Sequence, residues 1–199
     1  MIIPKELLIQ KNAYFFEVKK DEYIFLEDDP ALHYYQVISG SVKMSSYSEG
    51  GQEFIQGIFK AGQSFGEPAI FGDFAYPNNA IATETSEIAK LPKEIFYELL
   101  QENFDIHKKF NSLLSNRLRY KAIVLKEISS YCPDHVIMTL LKYLRDNTLK
   151  ENNSKFCVPY TRQQLADMTG LRVETVIRTV KQLHKEGKLE IKEHKIFLN

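Results

Sequence analysis

Cysteine is nearly absent: the 199 residues hold two, Cys132 and Cys157. That excludes a disulfide-stapled framework, and two thiols alone cannot build a four-thiolate iron–sulfur or zinc centre. Reduced thiols and a cytoplasmic setting are the expectation. Long hydrophobic runs are missing too. No stretch approaches the ~18 apolar residues of a membrane span. The segment Met1-Ile2-Ile3-Pro4-Lys5-Glu6 lacks the basic run and apolar core of a secretory signal. No glycine-rich loop leads from a strand into a helix, which excludes Rossmann and P-loop nucleotide sites. Neither sign of charge prevails, since 26 Lys and Arg balance 26 Asp and Glu. With 44% hydrophobic and 26% charged residues, the composition is that of a globular protein of one or two domains.

The charge is balanced but not evenly spread. Residues 1–100 carry 8 Lys and Arg against 15 Asp and Glu; residues 101–199 carry 18 against 11. Such asymmetry suggests two modules with different partners, the basic one being where nucleic acid would bind. Residues 14–91 read as short strands and turns. Tyr34-Tyr35-Gln36-Val37-Ile38, Ser41-Val42-Lys43-Met44 and Glu53-Phe54-Ile55 are separated by Ser39-Gly40 and Glu49-Gly50-Gly51-Gln52. Aromatic and β-branched runs at that spacing predict an all-β sandwich or barrel.

After Leu91 the texture changes. Pro92 suits a helix start, and Lys93 to Leu100 reads as a short helix. Between Glu102 and Ser130 there is neither glycine nor proline. Ile106, Phe110, Leu113, Leu114, Leu118, Leu125 and Ile128 recur there at helical spacing. A helix of ~43 Å, at 1.5 Å per residue, predicts a dimer-forming seam, because one small domain does not easily cover both sides of it. Tyr131-Cys132-Pro133-Asp134 breaks the pattern, with Asp134 expected to N-cap a helix over His135 to Arg145. Asp146 to Lys155 reads as a polar loop.

Thr161-Arg162-Gln163-Gln164 is a capping box, with Tyr160 and Leu165 at the staple positions. A helix to about Met168, a turn at Thr169-Gly170-Leu171 and a second helix over Arg172 to Glu186 make a helix-turn-helix. Alternation in Lys188 to Asn199 predicts a two-stranded wing. At ~100° per residue, Val176, Val180 and Leu183 share one arc of the second helix. Val173, Glu174, Ile177, Arg178, Lys181 and Lys185 share another. That layout suits a major-groove reader, with base contacts from the first turns and phosphate contacts from the flanks.

This order of parts resembles the catabolite-activator and fumarate-nitrate-regulator superfamily of bacterial transcription factors. The resemblance rests most on Thr161-Arg162-Gln163-Gln164-Leu165-Ala166 and Thr169-Gly170-Leu171-Arg172-Val173-Glu174-Thr175-Val176-Ile177-Arg178. Ser39-Gly40-Ser41-Val42, Gly62-Gln63-Ser64-Phe65-Gly66-Glu67 and Ala82-Thr83-Glu84-Thr85-Ser86-Glu87-Ile88 support it. It implies an α+β fold with a cyclic-nucleotide-binding-like β-roll effector domain over 1–100. A long dimerisation helix would follow over 101–131 and a winged helix-turn-helix DNA-binding domain over 132–199. It implies a homodimer on palindromic double-stranded DNA, with RNA polymerase as a further partner. Val173, Glu174 and Arg178 would read bases: Glu174 accepting from cytosine N4, Arg178 donating to guanine O6 and N7, Val173 packing on a thymine methyl. Ile177 stands where the fumarate-nitrate branch has serine. Thr161, Arg162, Gln163, Arg172 and Lys181 complete the expected DNA face, the first three and Lys181 on phosphates.

The resemblance places an effector pocket at Gly66, Glu67, Tyr76, Tyr120 and Lys121. Gly66 and Glu67 match the family's Gly-Glu, but Tyr76-Pro77 stands where an Arg-Ser pair would hold a cyclic phosphate. Proline lacks even the N–H. Tyr120 and Lys121 stand near the family's Thr-Ser pair. These departures argue against cyclic AMP and leave the effector open. No cysteine precedes Cys132, which argues against an oxygen-sensing cluster, and the five histidines show no haem-ligand pairing. No cofactor, metal site or catalytic grouping is expected. The other reading open at this point is a ligand-binding β-roll regulator whose helical domain contacts a protein rather than DNA.

Overall fold

A computed structural model describes residues 1–129, 132–148 and 155–198. The chain forms two compact units, Met1–Ser115 and Asn116–Asn199.

In the first unit, α1 (Lys5–Gln10) precedes a roll of two four-stranded antiparallel sheets. One sheet orders β1 (Tyr14–Val18), β8 (Ser86–Pro92), β3 (His33–Ser39) and β6 (Ser64–Phe65). The other orders β2 (Tyr23–Phe25), β7 (Asn79–Ala82), β4 (Ser41–Tyr47) and β5 (Glu53–Lys60). The aromatic runs that predict strands face inward: Tyr34, Val37, Val42, Phe65, Ile88 and Leu91 are fully buried. A buried polar residue sits among them with its hydrogen bonds made. Gln36 Oε1 accepts from Ile3 N at 3.0 Å and from the Tyr34 hydroxyl at 2.8 Å, and its Nε2 donates to the Ile3 carbonyl at 3.0 Å. That exchange anchors the segment before α1.

Three helices interrupt or follow this roll. α2 (Glu67–Gly72) occupies a stretch that the sequence reads as strand and turn, and α1 is likewise unforeseen. Both are six residues long, too short for a helical period to register against the β pattern around them. α3 (Lys93–Glu102) starts after Pro92 as expected. α4 (Phe104–Ser129) follows, 26 residues and ~39 Å long. Its apolar stripe is divided. Ile106 and Phe110 enter the roll's core, where Phe110 meets Phe96 edge-on at 5.3 Å, and Phe96 stacks on Tyr34 at 4.5 Å. Leu118 and Leu125 are each 70% exposed. Ile128 lies outside the residues whose side chains are described. α4 gives its first half to the roll, and the division between the two compact units falls within it, after Ser115.

The β4–β5 pair carries a half-buried ion pair. Lys43 Nζ lies 2.6 Å from Glu53 Oε1, and the Tyr47 hydroxyl donates to the same carboxylate at 3.3 Å. Burial alone would raise the Glu53 carboxyl, but the Lys43 hydrogen bond and charge hold it below its ordinary 4.5. A depressed carboxylate stabilises the fold above its ordinary value, and the contribution is lost as pH falls through the lowered value. Glu53→Gln is therefore expected to cost up to about 1 kcal/mol at neutral pH. In urea melts the gap to the unsubstituted chain should close as the pH drops below 4.5. A gap that stays constant would mean that Glu53 stabilises by packing and not by charge.

In the second unit, α5 (Pro133–Thr148), α6 (Arg162–Thr169) and α7 (Val173–Lys185) pack with a three-stranded sheet. The sheet orders β10 (Glu190–Lys192), β11 (Lys195–Leu198) and β9 (Phe156–Cys157). Ile137, Leu141, Leu165, Val176, Val180, Leu183, Ile196 and Leu198 are its buried core. Tyr120 of α4 stacks on Tyr143 of α5 at 3.5 Å between ring centroids. Two expectations are corrected here. Asp134 does not cap α5: Cys132 precedes the helix, Pro133 takes the first position, which needs no N–H, and Asp134 falls inside the first turn. Asp146 to Thr148 is helical, extending α5; the expected loop's residues 149–154 lie outside the described set.

Candidate nucleic-acid interface

Local chemistry sets the helix-turn-helix. The Thr161 hydroxyl accepts from Gln164 N at 3.1 Å, and Gln164 Oε1 accepts from Thr161 N at 2.9 Å, closing the capping box. Gly170 ends α6 at φ 70°, a left-handed conformation that costs glycine little. Thr169 holds the turn from inside, its hydroxyl donating to the Leu165 carbonyl at 2.7 Å. The angle at which α7 leaves α6 is thus fixed by a cap, a glycine and one buried hydroxyl.

α7 presents two unlike faces. Val176, Val180 and Leu183 are buried with Thr179. Glu174, Ile177, Arg178, Lys181 and Lys185 are exposed, and Arg172 sits exposed at the N-cap. Val173 departs from the expected open position. It is half-buried against the core beside Met168 and Leu171, because the tight turn lays the start of α7 onto that core. Ile177, 39% exposed, is the apolar residue that stays outside.

A groove of about 840 Å3 runs beside this face, lined by Thr161, Arg162, Ile177, Lys181, His194 and Lys195 among others. Partial burial lowers the Arg162 guanidinium from its ordinary value, yet it remains a cation. Gln163 donates from Nε2 to Asp167 Oδ1 at 2.8 Å, which fixes its headgroup at the helix start. His194 and Lys195 are missing from the site read in sequence. They come from the wing, where β10 and β11 pair Lys192 with Lys195 across a two-residue turn. Glu193 and His194 both have positive φ, 47° and 63°, as a type I′ hairpin requires. The signal was a two-residue gap between alternating runs, but neither residue type is a usual I′ choice.

The proposed effector residues are divided between the units. Gly66, Glu67 and Tyr76 belong to the first; Tyr120 and Lys121 belong to the second. Gly66 precedes α2 at φ 76°, where a Cβ would lie 3.1 Å from the rings of Phe25 and Tyr76. Glu67 opens α2, fully buried. Tyr76 stacks on Phe25 at 3.7 Å and donates from its hydroxyl to the His33 carbonyl at 2.8 Å. Its backbone is engaged on both sides: Tyr76 N donates to the Asp29 carbonyl and Asp28 N donates to the Tyr76 carbonyl, each at 2.9 Å. Burial raises the phenol, so it stays neutral and offers an anion no charge. Tyr35, stacked on Phe65 at 5.6 Å, is pushed up to about 12 by burial and by Asp29.

Comparison with known proteins agrees with both units. The cyclic nucleotide-binding domain family matches residues 15–103, and the Crp-like helix-turn-helix domain family matches residues 135–199. The chain is 27% identical over 172 residues to the transcriptional activator protein anr of Pseudomonas aeruginosa, covering 85% of this chain and 70% of that one. It is 28% identical over 163 residues to the cAMP-activated global transcriptional regulator CRP of Haemophilus influenzae, covering 81% and 72%. The fold matches that of FixK2 from Bradyrhizobium japonicum with a TM-score of 0.75 at 22% identity, covering 94% and 92%. With the roll and the Crp-like helix-turn-helix present in that order, the chain belongs to the Crp/Fnr family of DNA-binding transcriptional regulators.

Proposed function

We propose that this regulator binds an inverted-repeat promoter site as a homodimer, each chain laying α7 in the major groove. The observation that carries this reading is the α7 face itself. Glu174, Ile177 and Arg178 project from its first turns, with Lys181 beyond, over an apolar back that fixes them. Glu174 accepts from cytosine N4 and Arg178 grips guanine O6 and N7. Thr161, Arg162, Gln163 and Lys181 contact phosphate, Arg172 completes the DNA face, and Val173 offers its exposed part to a thymine methyl. The site of action is the cytoplasm, where the DNA is, and RNA polymerase is the partner that a promoter-bound regulator of this kind recruits or blocks. The protein has no catalytic role in this reading. Gly66, Glu67 and Tyr76, with Tyr120 and Lys121, remain the residues proposed for effector sensing, for a ligand other than cyclic AMP.

Paired substitutions test the base assignment. Arg178→Ala is expected to lose about 1–3 kcal/mol of discrimination between matched and single-mismatch duplexes. Lys181→Ala is expected to weaken all duplexes alike and to shallow the salt dependence by about one ion. The measurement is affinity for matched and mismatched duplexes across a salt series. Equal losses on every duplex for Arg178→Ala would remove it from the base edges. Salt-independent, sequence-blind binding by the unsubstituted chain would favour a helical domain that contacts protein.

A further inference from the structure

The start of α5 gathers three kinds of metal donor. Cys132 precedes the helix, Pro133 opens it, and Asp134 and His135 complete the first turn. The ligand atoms of Cys132, Asp134 and His135 all lie within 4.8 Å of one another. Cys132 Sγ already donates to Asp134 Oδ1 at 2.9 Å. Cys132 and Asp134 are half-buried, and His135 is exposed. In the sequence Asp134 reads as a helix cap and no metal is expected. The helix start brings them together, and the run Cys-Pro-Asp-His was the available signal.

We propose that Cys132, Asp134 and His135 form a binding site for a divalent transition metal of the zinc class. In a tetrahedral zinc centre, bonds of ~2.0–2.3 Å put neighbouring ligand atoms roughly 3.3–3.7 Å apart. The three donors, within 4.8 Å of one another, stand about an ångström wider than that. A mixed sulfur, nitrogen and oxygen set suits a borderline cation better than calcium or magnesium, which take oxygen ligands. Thiolate and carboxylate together bring two negative charges against two positive ones. Binding is an exchange: the metal forms a bond to Cys132 Sγ, the S–H bond breaks, and one proton passes to solvent. Three protein ligands leave the fourth position to water.

The site opens the helix that packs on α7. Ile137 and Leu141 of α5 share one core with Val176 and Val180 of α7. At the far end of α7, Glu186 and Lys188 are near enough to Asp134 for its charge to act on both. A bound dication cancels that charge and ties the start of α5 down beside α7.

Cobalt titration of the full chain in reducing buffer tests this. One cobalt per chain is expected, with a near-ultraviolet thiolate-to-cobalt band, intense tetrahedral d–d bands, and displacement by zinc. Cys132→Ser should abolish the thiolate band, and His135→Ala should weaken binding by at least the ~10–100-fold that losing an outer-shell partner costs. Cys157→Ser should leave both unchanged. Circular dichroism on each variant confirms that it is folded. No thiolate band at saturating cobalt, a band that survives Cys132→Ser or needs Cys157, or unchanged binding in His135→Ala would each overturn the site.

Discussion

A chain carrying Leu118→Asp and Leu125→Asp is expected to sediment as a monomer and to bind inverted-repeat DNA at least ~100-fold more weakly than the unsubstituted chain. The two leucines are each 70% exposed and seven residues apart on α4, so they lie on one side of it. At ~100° per residue they sit roughly 100° around the helix from the stripe of Ile106, Phe110 and Leu113 that the roll covers. An apolar stripe left open on a 26-residue helix is the surface that a second copy would bury. A dimer engages two half-sites at once, and the second contact is then intramolecular, worth a factor of ~10²–10⁴. Two aspartates on each side of a symmetric seam face each other and repel. Each chain's own core contains neither leucine, so the monomer should keep its fold and bind a single half-site as before. A double variant that remains dimeric at micromolar concentration, or that binds palindromes undiminished, would place the seam elsewhere.

Tyr76→Ala is expected to destabilise the roll by about 3–5 kcal/mol, a fall in Tm on the order of 10 °C or more. The ring is 2% exposed and lies against Phe25 at 3.7 Å. Its loss also leaves the His33 carbonyl without the 2.8 Å donor it has now. A cyclic phosphate at this position would need a cation, and burying it without one is costly. Calorimetric titration of the unsubstituted chain with cyclic AMP should therefore be silent, with operator affinity unmoved. An effector shifts a population only by its differential affinity for the two states. If Tyr76→Ala leaves Tm unchanged and micromolar cyclic AMP tightens operator binding, the roll between Phe71 and Ala82 is a nucleotide pocket after all.

What could be read in the sequence was what is local. The capping box at Thr161, the glycine turn at Gly170 and the two faces of α7 are set by residues within four of one another, and all three stand in the structure. The strand texture of residues 14–91 held for the same reason, since alternation and turns are short-range signals. Where neighbours decide, the reading failed. β9 is two residues long, and what makes it a strand is the pairing of Cys157 with Phe197, forty residues on. Val173 looked free on a helical wheel, but a wheel carries no knowledge of the core that Met168 and Leu171 extend beneath it. Asp134 looked like a cap until Pro133 took the first helical position and moved the helix start back. The stripe on α4 was legible as a stripe, but its division between a core and an open face depends on where the roll stops.

The late strand β11 has a consequence for the order in which the chain is made. Among the described residues, the first unit's core draws on nothing beyond Phe110 and Leu113, so a growing chain can pack it while the remainder is still being synthesised. The second unit cannot close early, because Ile196 and Leu198 stand inside its core and Val158 N bonds the Ile196 carbonyl at 2.9 Å. A nascent chain therefore passes through a stage with a finished roll and an unfinished helix-turn-helix unit, and a messenger cut short in that interval yields the roll alone.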